Sequence, residues 1–144
     1  MTTLDRQVEH RLKDRDVRYT RARRAVVEAL AQAGGPRSAA ELHADIGPSV
    51  PLSSLYRSIA TLEEAGVLTP HHGARSLTRY ELAEWLAGHH HHLLCTSCGS
   101  VEDIDIPADR EAVVRRLVDA IAADAQFAAA SHALEIEGLC ARCR

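Results

Sequence analysis

The chain has 144 residues, 46% of them hydrophobic but only 3% aromatic, so it can bury a core, and that core has to come from Ala, Val, Leu and Ile, which suits packed helices better than a large sandwich. No stretch approaches the roughly 18 uninterrupted apolar residues of a membrane span, and the opening Met1-Thr2-Thr3-Leu4-Asp5-Arg6 lacks the apolar run of an export signal; a cytoplasmic protein is expected. The net charge of -3 hides an asymmetry: residues 1–80 sum to +3 and residues 81–144 to -6, a division that suits a nucleic-acid-facing first half and a cation-holding second half, although solvated charged helices give similar counts.

In chain order, Leu4 to about Asp14 reads as a short helix. Thr20 has the character of an N-cap for a helix in which Val26, Val27 and Leu30 share a face, stopped by Gly34-Gly35-Pro36. Ser38-Ala39-Ala40-Glu41 is a capping box; it opens a third helix that buries Leu42 and Ile46 and ends at Gly47-Pro48. After Pro51, the run Leu52 to Ala65 places Leu55, Ile59 and Leu62 on one stripe, and Gly66 is a good stop. Val67-Leu68-Thr69, a polar middle containing Gly73, and Leu77 to Leu82 then predict a two-stranded hairpin. Helices in quick succession followed by a hairpin is the order of a winged-helix DNA-binding domain, assigned to residues 1–83. Residues 84–88 read as a linker. A second unit, 89–144, takes His89 to Leu94 and Ser100 to Ile106 as strands, Asp109 to about Ala125 as an amphipathic helix using Val113, Leu117 and Ile121, and Ser131 to Glu137 as a strand. The expected fold class is α+β.

Cys95-Thr96-Ser97-Cys98 and Cys140-Ala141-Arg142-Cys143 are two C-x-x-C pairs that use every cysteine in the chain. At that spacing a turn aims two thiolates at one tetrahedral ion, and Gly99 suits the turn. Two disulfides are disfavoured without an export signal, and a dithiol redox centre normally needs one pair, so Cys95, Cys98, Cys140 and Cys143 are expected to hold a structural Zn²⁺.

His89-His90-His91-His92 lies immediately before Leu93-Leu94-Cys95. In a strand, alternation sends His89 and His91 to one side and His90 and His92 to the other, so one short segment can serve two metal sites. Packing gives no reason for four consecutive histidines beside a C-x-x-C.

The run His89 to Gly99, the closing Cys140-Ala141-Arg142-Cys143, and Leu52-Ser53-Ser54-Leu55-Tyr56-Arg57-Ser58-Ile59-Ala60-Thr61-Leu62 together resemble the ferric uptake regulator family over nearly the whole chain. The resemblance implies a winged-helix reader, a small α/β dimerisation domain with the four-cysteine zinc site, homodimerisation, and repression of metal-uptake or stress genes when metal is bound. It also implies a regulatory site between the domains built from His90, His92 and Glu81, and a second site from His89, His91, Glu111 and His132. Many family members carry a histidine just before the third helix, where this chain has Arg37, and zinc-sensing members often have a sensing cysteine, absent here. Extra residues around Glu84 to Gly88 also part Glu81 from the histidine run. His71 or His72 in the wing is expected to replace the missing nitrogen. An all-nitrogen-and-oxygen regulatory site suits Fe²⁺ first and Zn²⁺ next, with Mn²⁺ and Ni²⁺ as alternatives.

Ser53, Ser54, Tyr56 and Arg57 occupy the first turns of the expected recognition helix, where such proteins address the major groove of operator DNA. Arg18, Tyr19, Arg21 and Arg23 are expected on the phosphate backbone from the preceding helix, with Arg75 and Arg79 from the wing. Three rival readings are a peroxide sensor of the same family, a metal-buffering protein that binds no operator, and a metal-dependent hydrolase using Glu81 or Glu111 as base. The last lacks any H-E-x-x-H-type signature.

Overall fold

The computed structural model describes residues 1–72 and 77–144. Helix α1 spans Thr3–Lys13 and is closed by a full capping box, in which the Thr2 hydroxyl accepts from the Asp5 N–H and the Asp5 carboxylate accepts from the Thr2 N–H. Asp5 is buried and also receives the Tyr19 hydroxyl at 3.1 Å and Arg24 at 2.9 Å. The Thr2 backbone hydrogen bond leads the groups that hold its carboxyl down to about 2, against the upward push of burial. Helix α2, Arg21–Gln32, starts at the Thr20 cap, as its sequence requires. The Ser38–Glu41 capping box opens α3, Ala39–Ile46, and Gly47 ends it at φ +85°, a left-handed angle that glycine adopts without a Cβ penalty. Helix α4, Leu52–Glu64, has only Pro51 at its N-cap and leaves its first N–H groups without a side-chain acceptor.

Val8, Leu12, Val26, Val27, Leu42, Leu55, Leu62 and Val67 are fully buried and join α1 to α4 in one core. Each contributes about 1.5–3 kcal/mol of burial free energy. Ile46 is only half-buried, because it lies in the last turn of α3. Strands β1 (Arg37–Ser38), β2 (Leu68–His72) and β3 (Thr78–Leu82) form an antiparallel sheet in the order β1-β3-β2. Strand β1 has only two residues, too few to show a period in the sequence.

The connecting segment is a helical turn rather than loose chain. In α5, Glu84–Ala87, the Trp85 indole donates to the Gly66 carbonyl at 2.8 Å, and Arg11 covers the ring at 4.1 Å. The chain then enters a second sheet of β4 (His91–Cys95), β5 (Val101–Ile104) and β6 (Glu135–Gly138), ordered β5-β4-β6, with β4 antiparallel to β5 and parallel to β6. Helix α6, Ala108–Asp124, provides the crossover. Its Val113, Leu117 and Ile121 stripe is present but 55–60% exposed in the single chain.

Candidate metal centres and nucleic-acid face

The cysteine cluster is built from the end of β4, the turn after it and the last residues of the chain. Cys98 Sγ and Cys140 Sγ lie 3.9 Å apart. Thiolates 2.3 Å from a tetrahedral ion stand about 3.8 Å from one another, so the spacing fits zinc, and all four thiols lie within reach of one ion. The Cys98 and Cys140 N–H groups point at Cys95 Sγ from 3.5 and 3.4 Å, which pulls that thiol down to about 6. Gly99, at φ +75°, completes the turn.

Alternation along the histidine run works as the sequence reading expects, although regular β4 begins only at His91. To one side, His90 and His92 place Nε2 2.8 and 3.1 Å from Glu81 Oε2. Burial pushes the Glu81 carboxyl up, but the histidine hydrogen bonds from His71, His92 and His90 outweigh it and hold it well below the carboxylate range. His71 Nε2 meets Glu81 Oε1 at 2.5 Å. His72 does not join. Register pairs His71 with Arg79 and His72 with Thr78, so His71 shares the Glu81 face of the hairpin, and His72 turns outward to the Thr78 hydroxyl. Of the two histidines offered as the replacement ligand, only His71 is in position.

Two carboxylates at this cluster escaped the sequence reading. Sheet register sets Asp103 of β5 and Glu135 of β6 on either side of His92; Asp103 Oδ1 lies 3.3 Å from His92 Nε2, and Glu135 Oε1 lies 3.5 Å from His71 Nδ1. Neither is findable without the register. To the other side of the run, His91 Nε2 and His132 Nε2 lie 2.7 and 3.0 Å from the Glu111 carboxylate, with His89 Nε2 at 2.8 Å. His91 leads the groups that draw Glu111 down to about 2. His91 Nδ1 is buried without a partner among the described residues. Three imidazoles and one carboxylate converging this closely fit a divalent ion.

On the candidate nucleic-acid face, Ser53, Tyr56 and Arg57 are exposed along the start of α4, and Ser54 is half-buried. Arg18 and Arg21 are exposed, whereas Arg23 is half-buried and donates to the Arg18 carbonyl. The Tyr19 hydroxyl is committed to Asp5, so it is not free to reach a phosphate as expected. Arg79 corrects the reading more sharply. It is buried, donates to Glu41 at 3.2 Å and to the Gly99 carbonyl at 2.6 Å, and thus ties the hairpin to the cysteine turn instead of facing DNA. Arg75 lies outside the described residues.

A helical reader with a hairpin, joined to a small sheet that gathers four thiols and two histidine–carboxylate clusters, defines a metal-responsive regulator. The ferric uptake regulator family model matches residues 14–137. The ferric uptake regulation protein of Legionella pneumophila is 31% identical over 137 residues, covering 92% of this chain and 96% of that protein. The Vibrio cholerae ferric uptake regulator superposes with a TM-score of 0.73 at 29% identity, covering 92% of this chain and 98% of that one, and the Helicobacter pylori regulator shares the fold at a TM-score of 0.79 and 22% identity, covering 98% and 91%. The chain belongs to the ferric uptake regulator family. Proteins of this family are transcription regulators, which removes the hydrolase reading. No helix among the described residues is long and apolar enough to cross a membrane.

Proposed function

We propose that the protein is a homodimeric repressor whose operator affinity is set by a divalent ion at the Glu81 cluster. The observation that carries this is the composition of the cluster: Glu81 and His71 come from the hairpin of the reader, whereas His90 comes from the chain leading into β4, His92 from β4 and Asp103 from β5. An ion held there supplies one electrostatic tie between the DNA-reading half, residues 1–83, and the half from 89 to 144. In a dimer the two α4 helices must stand about 34 Å apart to enter successive major grooves, so fixing the angle between halves converts occupancy into affinity.

The remaining residues take consistent parts. Cys95, Cys98, Cys140 and Cys143 hold structural zinc, and His89, His91, Glu111 and His132 form the second metal seat. Ser53, Ser54, Tyr56 and Arg57 address base edges, and the uncapped N-terminus of α4 faces phosphate favourably; Arg18, Arg21 and Arg23 flank it. A set of imidazole nitrogens and carboxylate oxygens with no thiolate favours Fe²⁺ as the controlling ion, with Zn²⁺ next.

Operator gel shifts across buffered Fe²⁺, Zn²⁺, Mn²⁺ and Ni²⁺ test the reading. His90→Ala is expected to abolish metal-dependent operator binding and leave dimer mass unchanged. Metal-dependent shifts that survive the substitution reject the scheme.

A further inference from the structure

The segment between Glu81 and the histidine run carries a carboxylate aimed at the second metal seat. His89 turns Nε2 toward Glu111 and His132, at 2.8 and 3.2 Å, and its other ring nitrogen, Nδ1, meets Glu84 Oε1 at 3.0 Å. When Nε2 is given to an ion, the ring proton must sit on Nδ1, where it donates to Glu84. Such an outer carboxylate fixes the tautomer and the ring orientation and makes the nitrogen facing the ion more basic. His91, in the same seat, has no partner at Nδ1 among the described residues, so His89 is the ligand on which this support acts.

Glu84 opens α5, and its neighbour Trp85 reaches the opposite way. The Trp85 indole donates to the Gly66 carbonyl at 2.8 Å, and Gly66, at φ +73°, is where the chain leaves α4. Arg11, stacked at 4.1 Å on the indole, also donates to the Ala65 carbonyl at 3.4 Å. One turn of helix therefore touches a ligand of the second seat at one residue and the C-terminal end of the reading helix at the next.

Resting on the reading of the Glu111 cluster as a metal seat, we propose that Glu84 is a positioning residue for that seat, acting through His89, and that Trp85 relays occupancy of the seat to the end of α4. The 84–88 segment is then a coupling element. It gives the second ion a route to the DNA reader separate from the Glu81 junction.

The test uses the full-length dimer with its cysteine site loaded and with Glu81→Ala and His92→Ala combined, which disable both the Glu81 cluster and the overlapping group of His71, His92 and Glu135. Zn²⁺ is the probe, because its closed shell does not quench fluorescence, and Trp85 is the only tryptophan. In this background one further Zn²⁺ per protomer is expected by calorimetry, together with a change in Trp85 emission. Glu84→Ala is expected to keep that stoichiometry, weaken the affinity about tenfold and abolish the emission change, while Glu84→Gln, whose amide oxygen still accepts from Nδ1, restores most of the affinity. Glu84 is largely exposed, so the substitution leaves the core intact. Unchanged affinity in Glu84→Ala overturns the positioning role, and an ion that binds without altering Trp85 emission overturns the relay. If His91→Ala still takes up the same ion, the seat itself is misassigned, which is a different failure.

Discussion

At the scale of single residues, the Glu81 cluster holds protons where the proposal places an ion. The hydrogen bond to Glu81 raises His71 above the ordinary 6.5; burial lowers His90, but Glu81, the Gly88 carbonyl and Asp103 together more than offset it and His90 is raised too. A histidine with a raised folded value contributes stability that is complete below pH 6.5 and is lost as pH climbs through that raised value. Glu81, whose folded value is depressed, contributes stability present above 4.5 and lost as pH falls through its lowered value. The metal-free junction is therefore tightest between about pH 4.5 and 6.5 and loosens above. Ion and protons compete for the same nitrogens, so affinity for Mn²⁺ is expected to climb steadily from pH 6 to pH 8 by calorimetry. A flat profile across that range counts against shared use of these groups.

At the scale of elements, what is local was legible and what depends on register was not. The Thr20 cap and the Ser38–Glu41 box stand where the sequence puts them, because a cap is a contract between residues three apart. Arg79 looked like an exposed wing arginine; only the pairing of β3 with β1 and the docking of the cysteine turn against it place its guanidinium between Glu41 and Gly99. Gly35 reports the same docking, since a Cβ there would stand 2.6 Å from the Val101 carbonyl oxygen. Arg79→Met is expected to cost about 2 kcal/mol, the worth of charge-assisted hydrogen bonds lost in a buried place. Urea unfolding of the zinc-loaded protein measures it, and an unchanged midpoint shows the tie to be idle.

At the scale of the whole molecule, the cysteine site fastens the last residues of the chain to the turn after β4, adding to the backbone pairing of β6 with β4 and the Thr96 bonds to the Gly138 carbonyl; the side chains of β6 are exposed along its length. Chelating the zinc is expected to release that segment and, with it, the dimer, because structural metal binding is coupled to folding. Circular dichroism and dimer mass that both persist after verified metal loss exclude a structural role. The exposed Val113, Leu117 and Ile121 stripe of α6 suits the homodimer proposed above. The sequence alone pointed to the cysteines and histidines at the heart of the candidate clusters, since alternation along an extended run divides four histidines between two faces and two C-x-x-C pairs are spaced to hold one ion. Tertiary structure decided which other side chains complete them. Asp103, Glu135 and Glu84 reach their histidines only through strand register and a helical turn, and the choice of His71 over His72 follows from which hairpin face lies against β4; no spacing along a chain encodes contacts made between separately folded elements.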